Sequence, residues 1–178
     1  MFDPIHPIGP MPTPGGYDPQ ALEQSIARIA SFPVRVRASL KGVDPAALEG
    51  TYRPWGWTAR QIIHHLADSH LNSFCRFKLA LTELNPRIKP YDENAWALLG
   101  DTGIQQLEAT LLILEGLHAR WAALLASLAA EQWLRTFHHP DQGRDLALHH
   151  LAHVYAWHGD HHLAQACLAM GAPVPAKL

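Results

Sequence analysis

Three histidines in two separate segments have the types and spacing of a metal-binding group. His158 and His162 are four residues apart, and residues at this spacing in an α-helix share one face, about 6 Å apart along the axis. Their imidazoles can therefore bind one metal ion from the same helix. His65 lies in a second apolar segment and offers a third imidazole. Three histidine ligands leave one coordination position open, which is typical of catalytic metal sites.

The chain contains 13 histidines, so the choice among them needs an argument. His149 and His153 have the same spacing but lie almost opposite His158 and His162, because successive helical residues are about 100° apart. The face of His158 and His162 carries mainly apolar residues, which favours this pair without excluding the other. The sequence assigns no role to His149, His150, His153 or His161. Five further histidines are interpreted as packed or surface residues: His6, His70, His118, His138 and His139.

Polar residues follow His65 along the same face of its helix, whereas His64 points about 100° away. Ser69, Asn72 and Arg76 lie 4, 7 and 11 positions after His65. Buried polar groups are costly unless they find partners or line a wet pocket, so these side chains are candidate substrate-positioning groups. Asp68 is the nearest candidate for a base or for a hydrogen-bond partner of the imidazole. The candidate catalytic residues are therefore Asp68, Asn72 and Arg76, with no definite role assigned.

Composition excludes several other kinds of site. The 14 basic and 16 acidic residues leave no basic face for nucleic acid or membrane. Cys75 and Cys167 are far apart, which argues against a disulfide framework and a cysteine-based zinc site. Only Glu115 and His118 form a Glu-x-x-His pair, and a di-iron bundle needs two. No apolar run approaches the roughly 20 residues that span a bilayer and no signal peptide is recognisable, so we expect a cytoplasmic protein.

Four long helices must position these residues, so the predicted fold class is all-α, an up-down-type four-helix bundle. The proline- and glycine-rich residues 1–17 predict an extended N-terminal arm, and residues 18–178 a single domain. No convincing strand is predicted, although 136–139 is at most a short extended piece. The connection 85–100 is long enough to be a functional loop. The helices are predicted to run from Asp18-Pro19 to Lys41-Gly42, from the Thr58–Gln61 capping box to Asn85-Pro86, from Thr102 to Leu128, and from Asp145 to Met170.

Six segments, in order along the chain, resemble the YfiT branch of the DinB-like superfamily: residues 55–70, 76–83, 89–96, 118–121, 137–140 and 157–162. The resemblance implies a four-helix bundle that binds one divalent metal ion per subunit, zinc or nickel, through His65, His158 and His162. Members of the branch are described as metal-dependent hydrolases. Members similar to this chain are linked to transfer of the low-molecular-weight thiol bacillithiol to electrophiles and form homodimers. The chain departs at Asp160, where relatives can carry histidine, but this position is about 200° from His158.

Two reactions fit an open three-histidine site. Hydrolysis needs an activated water and usually a base, whereas thiol transfer needs a metal that deprotonates a thiol. The sequence lacks the glutamate of a His-Glu-x-x-His motif, which favours thiol transfer, with hydrolysis as the alternative. A non-catalytic metal-binding bundle is a second alternative, against which Asn72 and Arg76 argue. The residues do not determine the natural metal, the thiol or the electrophile. The arm could be a disordered tail or could wrap onto a partner subunit. Four apolar residues in it favour packing across subunits of a homodimer over exposure to solvent: Phe2, Ile5, Ile8 and Met11.

Overall fold

The computed structural model describes residues 3–13, 15–103 and 106–175, so Phe2 of the arm and Ile104 of the predicted third helix lie outside the described residues. Four long helices form a bundle, which confirms the predicted fold class. In chain order the helices are α1 (Pro19–Ser39), α2 (Ala59–Thr82), the short α3 (Glu93–Trp96), α4 (Glu108–Ala126), the short α5 (Ala130–Trp133) and α6 (Leu148–Ala169). Single 3-10 turns cover Pro45–Glu49, Gly100–Gly103 and Pro140–Gln142.

The packing brings together the helices that carry the candidate ligands. Both α1 and α2 pack against α4 and α6, so α1 and α2 occupy diagonal corners of the bundle. The helix of His65 and the helix of His158 and His162 are direct neighbours, as predicted. Two N-terminal caps fix where the first long helices begin. The Asp18 carboxylate accepts hydrogen bonds from the first turn of α1, and Thr58 and Gln61 form the predicted capping box of α2.

The predicted helix ends are wrong at three places. α4 begins at Glu108 and not at Thr102, because the Thr102 hydroxyl donates to the carbonyls of Ala97 and Leu99 and stabilises a separate turn. α2 ends at Thr82, three residues before Asn85, whose φ of 46° is outside the helical region. α6 begins at Leu148 and not at Asp145, because the preceding residues belong to a strand.

A short antiparallel hairpin corrects the expectation that the chain has no convincing strand. β1 (Thr136–His139) pairs with β2 (Arg144–Ala147), and Phe137 lies opposite Leu146. Both of these side chains are buried, but strands of four residues are too short to give a clear alternating pattern in the sequence. α6 has no side-chain cap; instead, the Leu148 N–H donates to the carbonyl of Arg135 at 2.9 Å. The hairpin therefore sets the start of α6.

α4 is long and apolar enough to cross a membrane by length and composition alone, contrary to the expectation that no segment approaches that length. In the structure it packs against α1 and α2, and Leu114, Trp121 and Leu125 are buried there. A core helix of a bundle meets the same criterion of length and composition. We therefore describe α4 as one of the four bundle helices.

Candidate metal centre

The imidazoles of His65, His158 and His162 converge where α2 meets α6. One nitrogen from each ring lies within 4.8 Å of the other two. The Nε2 atoms of His65 and His158 are 3.4 Å apart, close to the separation of about 3.3 Å expected for two ligands of a tetrahedral ion. Among the described residues, this is the one group of three or more such side chains whose ligand atoms converge. Its geometry and donor type fit a divalent metal ion.

All three imidazoles are held in the neutral form. Burial lowers the pKa of His65 to about 4. Burial, and after it the neighbouring imidazoles, lower the pKa of His158 and of His162 well below the ordinary histidine value. Only a neutral imidazole has a free lone pair for a metal. The three imidazoles therefore lose no proton when they bind a metal ion at neutral pH.

His158 is supported by a chain of hydrogen bonds through the core. Its Nδ1 lies 3.2 Å from Nε2 of His70, and Nδ1 of His70 lies 2.8 Å from Nε2 of His118. The chain ends where Nδ1 of His118 meets the Ile29 carbonyl oxygen at 2.6 Å. Because a carbonyl can only accept, His118 donates from Nδ1, and each earlier ring must do the same. This core relay, formed by His70, His118 and the Ile29 carbonyl, leaves Nε2 of His158 free to bind a metal.

A glycine makes room for the aromatic ring that packs on the core relay. The Phe32 ring lies 5.1 Å from the His70 ring and 5.4 Å from the His118 ring, centroid to centroid. A Cβ atom at Gly159 would lie 2.9 Å from the Phe32 ring. Gly159 directly follows His158, so the absence of a side chain there lets Phe32 lie between α6 and the relay.

His162 has a different support. Its Nδ1 lies 2.8 Å from Oε1 of Gln165, so it donates to that oxygen and leaves the lone pair of Nε2 available to a metal ion. The amide of Gln165 in turn donates to the Ile5 carbonyl at 2.9 Å. Ile5 belongs to the N-terminal arm, so the arm packs on its own chain at this point.

A polar cavity of about 300 Å³ opens onto the three imidazoles. Ser69 Oγ lies 3.3 Å from the Tyr155 hydroxyl and 3.4 Å from Nε2 of His158. Burial raises the pKa of Tyr91 to about 12, so its hydroxyl keeps a proton to donate. The loop after α2 and the β-hairpin supply the other side of the cavity. Besides the three imidazoles, its walls are formed by Trp57, Ser69, Arg76, Pro90, Tyr91, Glu93, His139, Asp141 and Tyr155.

A second cavity of about 300 Å³, here called the aromatic cavity, adjoins the same centre. It shares Trp57 and His162 with the polar cavity. Trp55 stands at its rim, 99% exposed and with a φ of 61°, a backbone conformation uncommon for a bulky residue. The cavity is lined by Ile5, His6, Tyr52, Arg53, Trp55, Trp57, Asn94, Trp157, His161, His162 and Gln165.

Comparisons with known proteins identify the family to which this chain belongs. The sequence profile of the DinB superfamily matches residues 19–166. The chain belongs to the DinB superfamily. A relative in Bacillus subtilis strain 168, named "Putative metal-dependent hydrolase YfiT", is 39% identical over 159 residues, which cover 89% of each chain. A Bacillus cereus strain AH820 protein with the same description is 43% identical over 164 residues, which cover 92% of this chain and 94% of the relative.

The solved structure of YfiT from Bacillus subtilis confirms the branch of the DinB superfamily. It superposes with a TM-score of 0.90 at 37% sequence identity, over 96% of this chain and 99% of that chain. That protein is described as a probable metal-dependent hydrolase with an unusual four-helix bundle topology. The predicted resemblance to the YfiT branch is therefore confirmed over nearly the whole chain.

The three predicted catalytic candidates, Asp68, Asn72 and Arg76, have different surroundings. Arg76 lines the polar cavity. Asn72 does not line it, because its amide donates to the Asp68 carbonyl within α2 at 2.9 Å. Burial, and secondarily Asp101, raise the pKa of Asp68 to about 6. Within the described residues, the Asp68 carboxylate makes no hydrogen bond to any of the three imidazoles.

The other histidines of this DinB-superfamily chain lie in several environments. His149 and His153, the other pair with a spacing of four residues, lie away from the centre. His153 Nδ1 lies 2.8 Å from Ser25 Oγ, and His149 packs edge-on against Tyr17. His64 contacts the Thr110 hydroxyl at 2.7 Å. Asp160 pairs with Arg28 and Arg35 and is not part of the converging group.

Sequence reasoning gave no role in the site to three histidines that belong to it. His70 and His118 were predicted to be packed or surface residues; they are packed, but His70 also contacts His158. Nothing in the spacing of single histidines reveals contacts between helices. His139 lines the polar cavity because the hairpin turns it inward, and the hairpin was not predicted.

Proposed function

We propose that this protein is a metal-dependent enzyme that transfers a low-molecular-weight thiol, of the bacillithiol type, to an electrophilic small molecule. One divalent ion per subunit, zinc or nickel, would be held by His65, His158 and His162. The observation that carries this proposal is the pair of cavities that share Trp57 and His162. A transferase needs room for two substrates at one centre, whereas hydrolysis needs one substrate and water.

The polar cavity suits the thiol. A bound divalent ion supplies the positive charge that lowers the pKa of a coordinated thiol. The guanidinium of Arg76 can bind a carboxylate on the thiol through two N–H groups. The hydroxyls of Ser69, Tyr91 and Tyr155 provide further hydrogen bonds to polar groups of the same substrate.

The aromatic cavity suits the electrophile. Tyr52, Trp57 and Trp157 offer ring surfaces to a flat or apolar molecule, and Trp57 borders both cavities. An exposed tryptophan such as Trp55 adds contact area at the entrance. Two substrates so placed would meet beside His162, which fulfils the requirement that reacting groups be brought together.

Steady-state kinetics with and without thiol test the proposal. We expect the zinc- or nickel-loaded protein to consume a carboxylate-bearing thiol and a model electrophile in equal amounts, and mass spectrometry to find the joined product. The His162→Ala variant should abolish turnover. Robust hydrolysis of esters or amides without any thiol would reject thiol transfer.

Hydrolysis is the second candidate, because the relatives are named as metal-dependent hydrolases and two carboxylates line the polar cavity. Glu93 or Asp141 could act as the base that hydrolysis requires. The test is thiol-independent ester hydrolysis that Glu93→Gln or Asp141→Asn reduces by about 100-fold or more. A non-catalytic metal-binding bundle is less well supported, since metal storage does not require Arg76 at the cavity wall.

We further propose that the enzyme is a cytoplasmic homodimer. Three large apolar side chains on α1 and α4 are at least half exposed: Val34, Leu112 and Ile113. Exposed apolar surface of this kind commonly marks a protein interface. Light scattering at micromolar concentration should give twice the chain mass, and a monomeric mass would reject the homodimer.

A further inference from the structure

The N-terminal arm reaches one of the proposed metal ligands through a single buried side chain. Gln165 is 3% exposed, and both ends of its amide are used. Its oxygen accepts from Nδ1 of His162, and its nitrogen donates to the Ile5 carbonyl. The amide therefore connects the imidazole to the backbone of the arm.

The two hydrogen bonds orient each other. The Ile5 carbonyl can only accept, so it fixes which end of the Gln165 amide faces the arm and which faces His162. The oxygen end then requires a proton on Nδ1 of His162, which leaves Nε2 with its lone pair directed away from Gln165. A flipped amide would present N–H to the same imidazole and favour the wrong tautomer for binding through Nε2.

Other contacts shape the arm and do not involve the metal centre. Asp3 accepts hydrogen bonds from the Ile5 N–H and from His6, and the Gly9 N–H donates to the His6 carbonyl. Ile8 lines a small cavity with Leu163 and Ala164 of α6. The position of the Ile5 carbonyl thus depends on arm contacts several residues away.

We infer that Gln165 is a positioning residue, and that docking of the N-terminal arm and binding of metal by His162 stabilise each other through it. This inference rests on the proposed metal site and adds the arm to it as a structural part. Hydrogen bonds to the second nitrogen of a ligating histidine typically change metal affinity by about 10- to 100-fold when removed. By linkage, any factor by which docking tightens metal binding is the factor by which metal tightens docking.

Zinc affinities of full-length variants test the inference, measured by competition with a chromophoric chelator. Gln165→Met removes both hydrogen bonds and should weaken zinc binding by about 10- to 100-fold. Gln165→Glu keeps an acceptor for His162 but cannot donate to Ile5, so it should restore most of the affinity. Equal affinities for Gln165→Met and the parent protein would overturn the role of Gln165.

A double-mutant cycle tests the link to the arm. Ile8→Asp should undock the arm and weaken zinc binding in the parent protein, but it should have no further effect in the Gln165→Glu protein, where the link is already cut. Leu84→Asp, at a position that is 96% exposed just after α2 and lines neither cavity, controls for the added charge. An equal effect of Ile8→Asp in both proteins would show that the arm does not act through Gln165.

Two further measurements separate this inference from the proposed function. In the parent protein, zinc should slow hydrogen exchange of the Ile5 and Gly9 amides, and unchanged exchange would overturn the coupling. In metal-free protein, nitrogen chemical shifts should show His162 protonated on Nδ1 in the parent and in Gln165→Glu, but not as a single tautomer in Gln165→Met. If the parent bound no zinc but retained this tautomer, the metal site and its coupling to the arm would be rejected, and the orienting role of Gln165 would stand.

Discussion

His158 and His162 lie one helical turn apart, yet their supports come from different parts of the molecule. The core relay behind His158 consists of His70 and His118, each 1% exposed, and the carbonyl of a bundle helix. Behind His162, Gln165 leads to the carbonyl of Ile5, a residue that is 46% exposed. The core relay forms when the bundle folds, whereas the support of His162 is complete only when the arm docks. Two candidate ligands on one helix can therefore depend on different parts of the chain for their orientation.

The largest expected effect is the loss of zinc binding when one of the proposed ligands is replaced. His158→Ala and His162→Ala should each abolish stoichiometric zinc binding, because two imidazoles hold zinc far more weakly than three. His153→Ala, on the same helix but away from the centre, should retain one zinc per chain. Metal analysis of the purified variants measures this, and full zinc in His158→Ala would reject the proposed ligand set.

The next effect concerns the core relay. His70→Leu removes the acceptor for His158 and should weaken zinc binding by about 10- to 100-fold. It also leaves His118 Nε2 unpaired in the core, which should cost about 1–3 kcal/mol of unfolding free energy. His70→Gln offers one acceptor and one donor and should recover part of both losses. Chelator competition and urea unfolding check the two quantities; a normal zinc affinity in His70→Leu would show that His158 needs no support.

Arg76 belongs to neither of the two supports, so the zinc affinity of an Arg76 variant gives a baseline for the variants of His70 and Gln165. Arg76→Ala should leave zinc affinity within about threefold of the parent, because Arg76 lines the cavity without touching the proposed ligands. If the thiol carries a carboxylate, its KM should rise by about 10-fold or more, since a bidentate charged contact is lost. Kinetics on zinc-loaded protein separate the two outcomes, and loss of zinc in this variant would mean that Arg76 supports the centre.

The smallest expected effect concerns Asp68, which follows His65 on α2. Its pKa is raised from the ordinary value of 3.8 to about 6 in the folded protein, mainly by burial. Its ionised form therefore destabilises the folded state fully above about pH 6. The effect shrinks as the pH falls from 6 to 4, and it is lost below about pH 3, where the carboxyl is protonated in both states. Asp68→Asn should raise Tm at pH 7.5 by a few degrees and raise it much less at pH 4, with no change in zinc affinity. A lowered Tm at pH 7.5 would contradict this.

The sequence predicted the parts of the fold that local patterns determine. The caps at Asp18 and Thr58 and the long apolar periodicities are local, and they gave the bundle and the beginnings of α1 and α2. The convergence of His65 with His158 and His162 followed from their faces on two helices and from the family resemblance. The hairpin was missed because its strands have four residues each. Because the hairpin was not predicted, the position of His139 at the polar cavity was not predicted either.

The hydrogen bonds that support the candidate ligands could not be predicted, because they join residues far apart in the chain. Ile29 and His118 are 89 positions apart, and Ile5 and Gln165 are 160 positions apart. Each of these hydrogen bonds depends on how whole helices and the arm pack. The sequence shows a histidine or a glutamine at such positions but not the partner that determines its tautomer or orientation.

The core relay also determines where protons can be transferred from the histidine centre. Linked imidazoles can pass a proton along a chain, but only if the last member can release it or take one up. Here the last acceptor is the Ile29 peptide carbonyl, which does neither at ordinary pH. The relay is thus closed at its inner end to proton transfer. Any proton released by a substrate at the histidine centre must leave through the cavities, toward solvent.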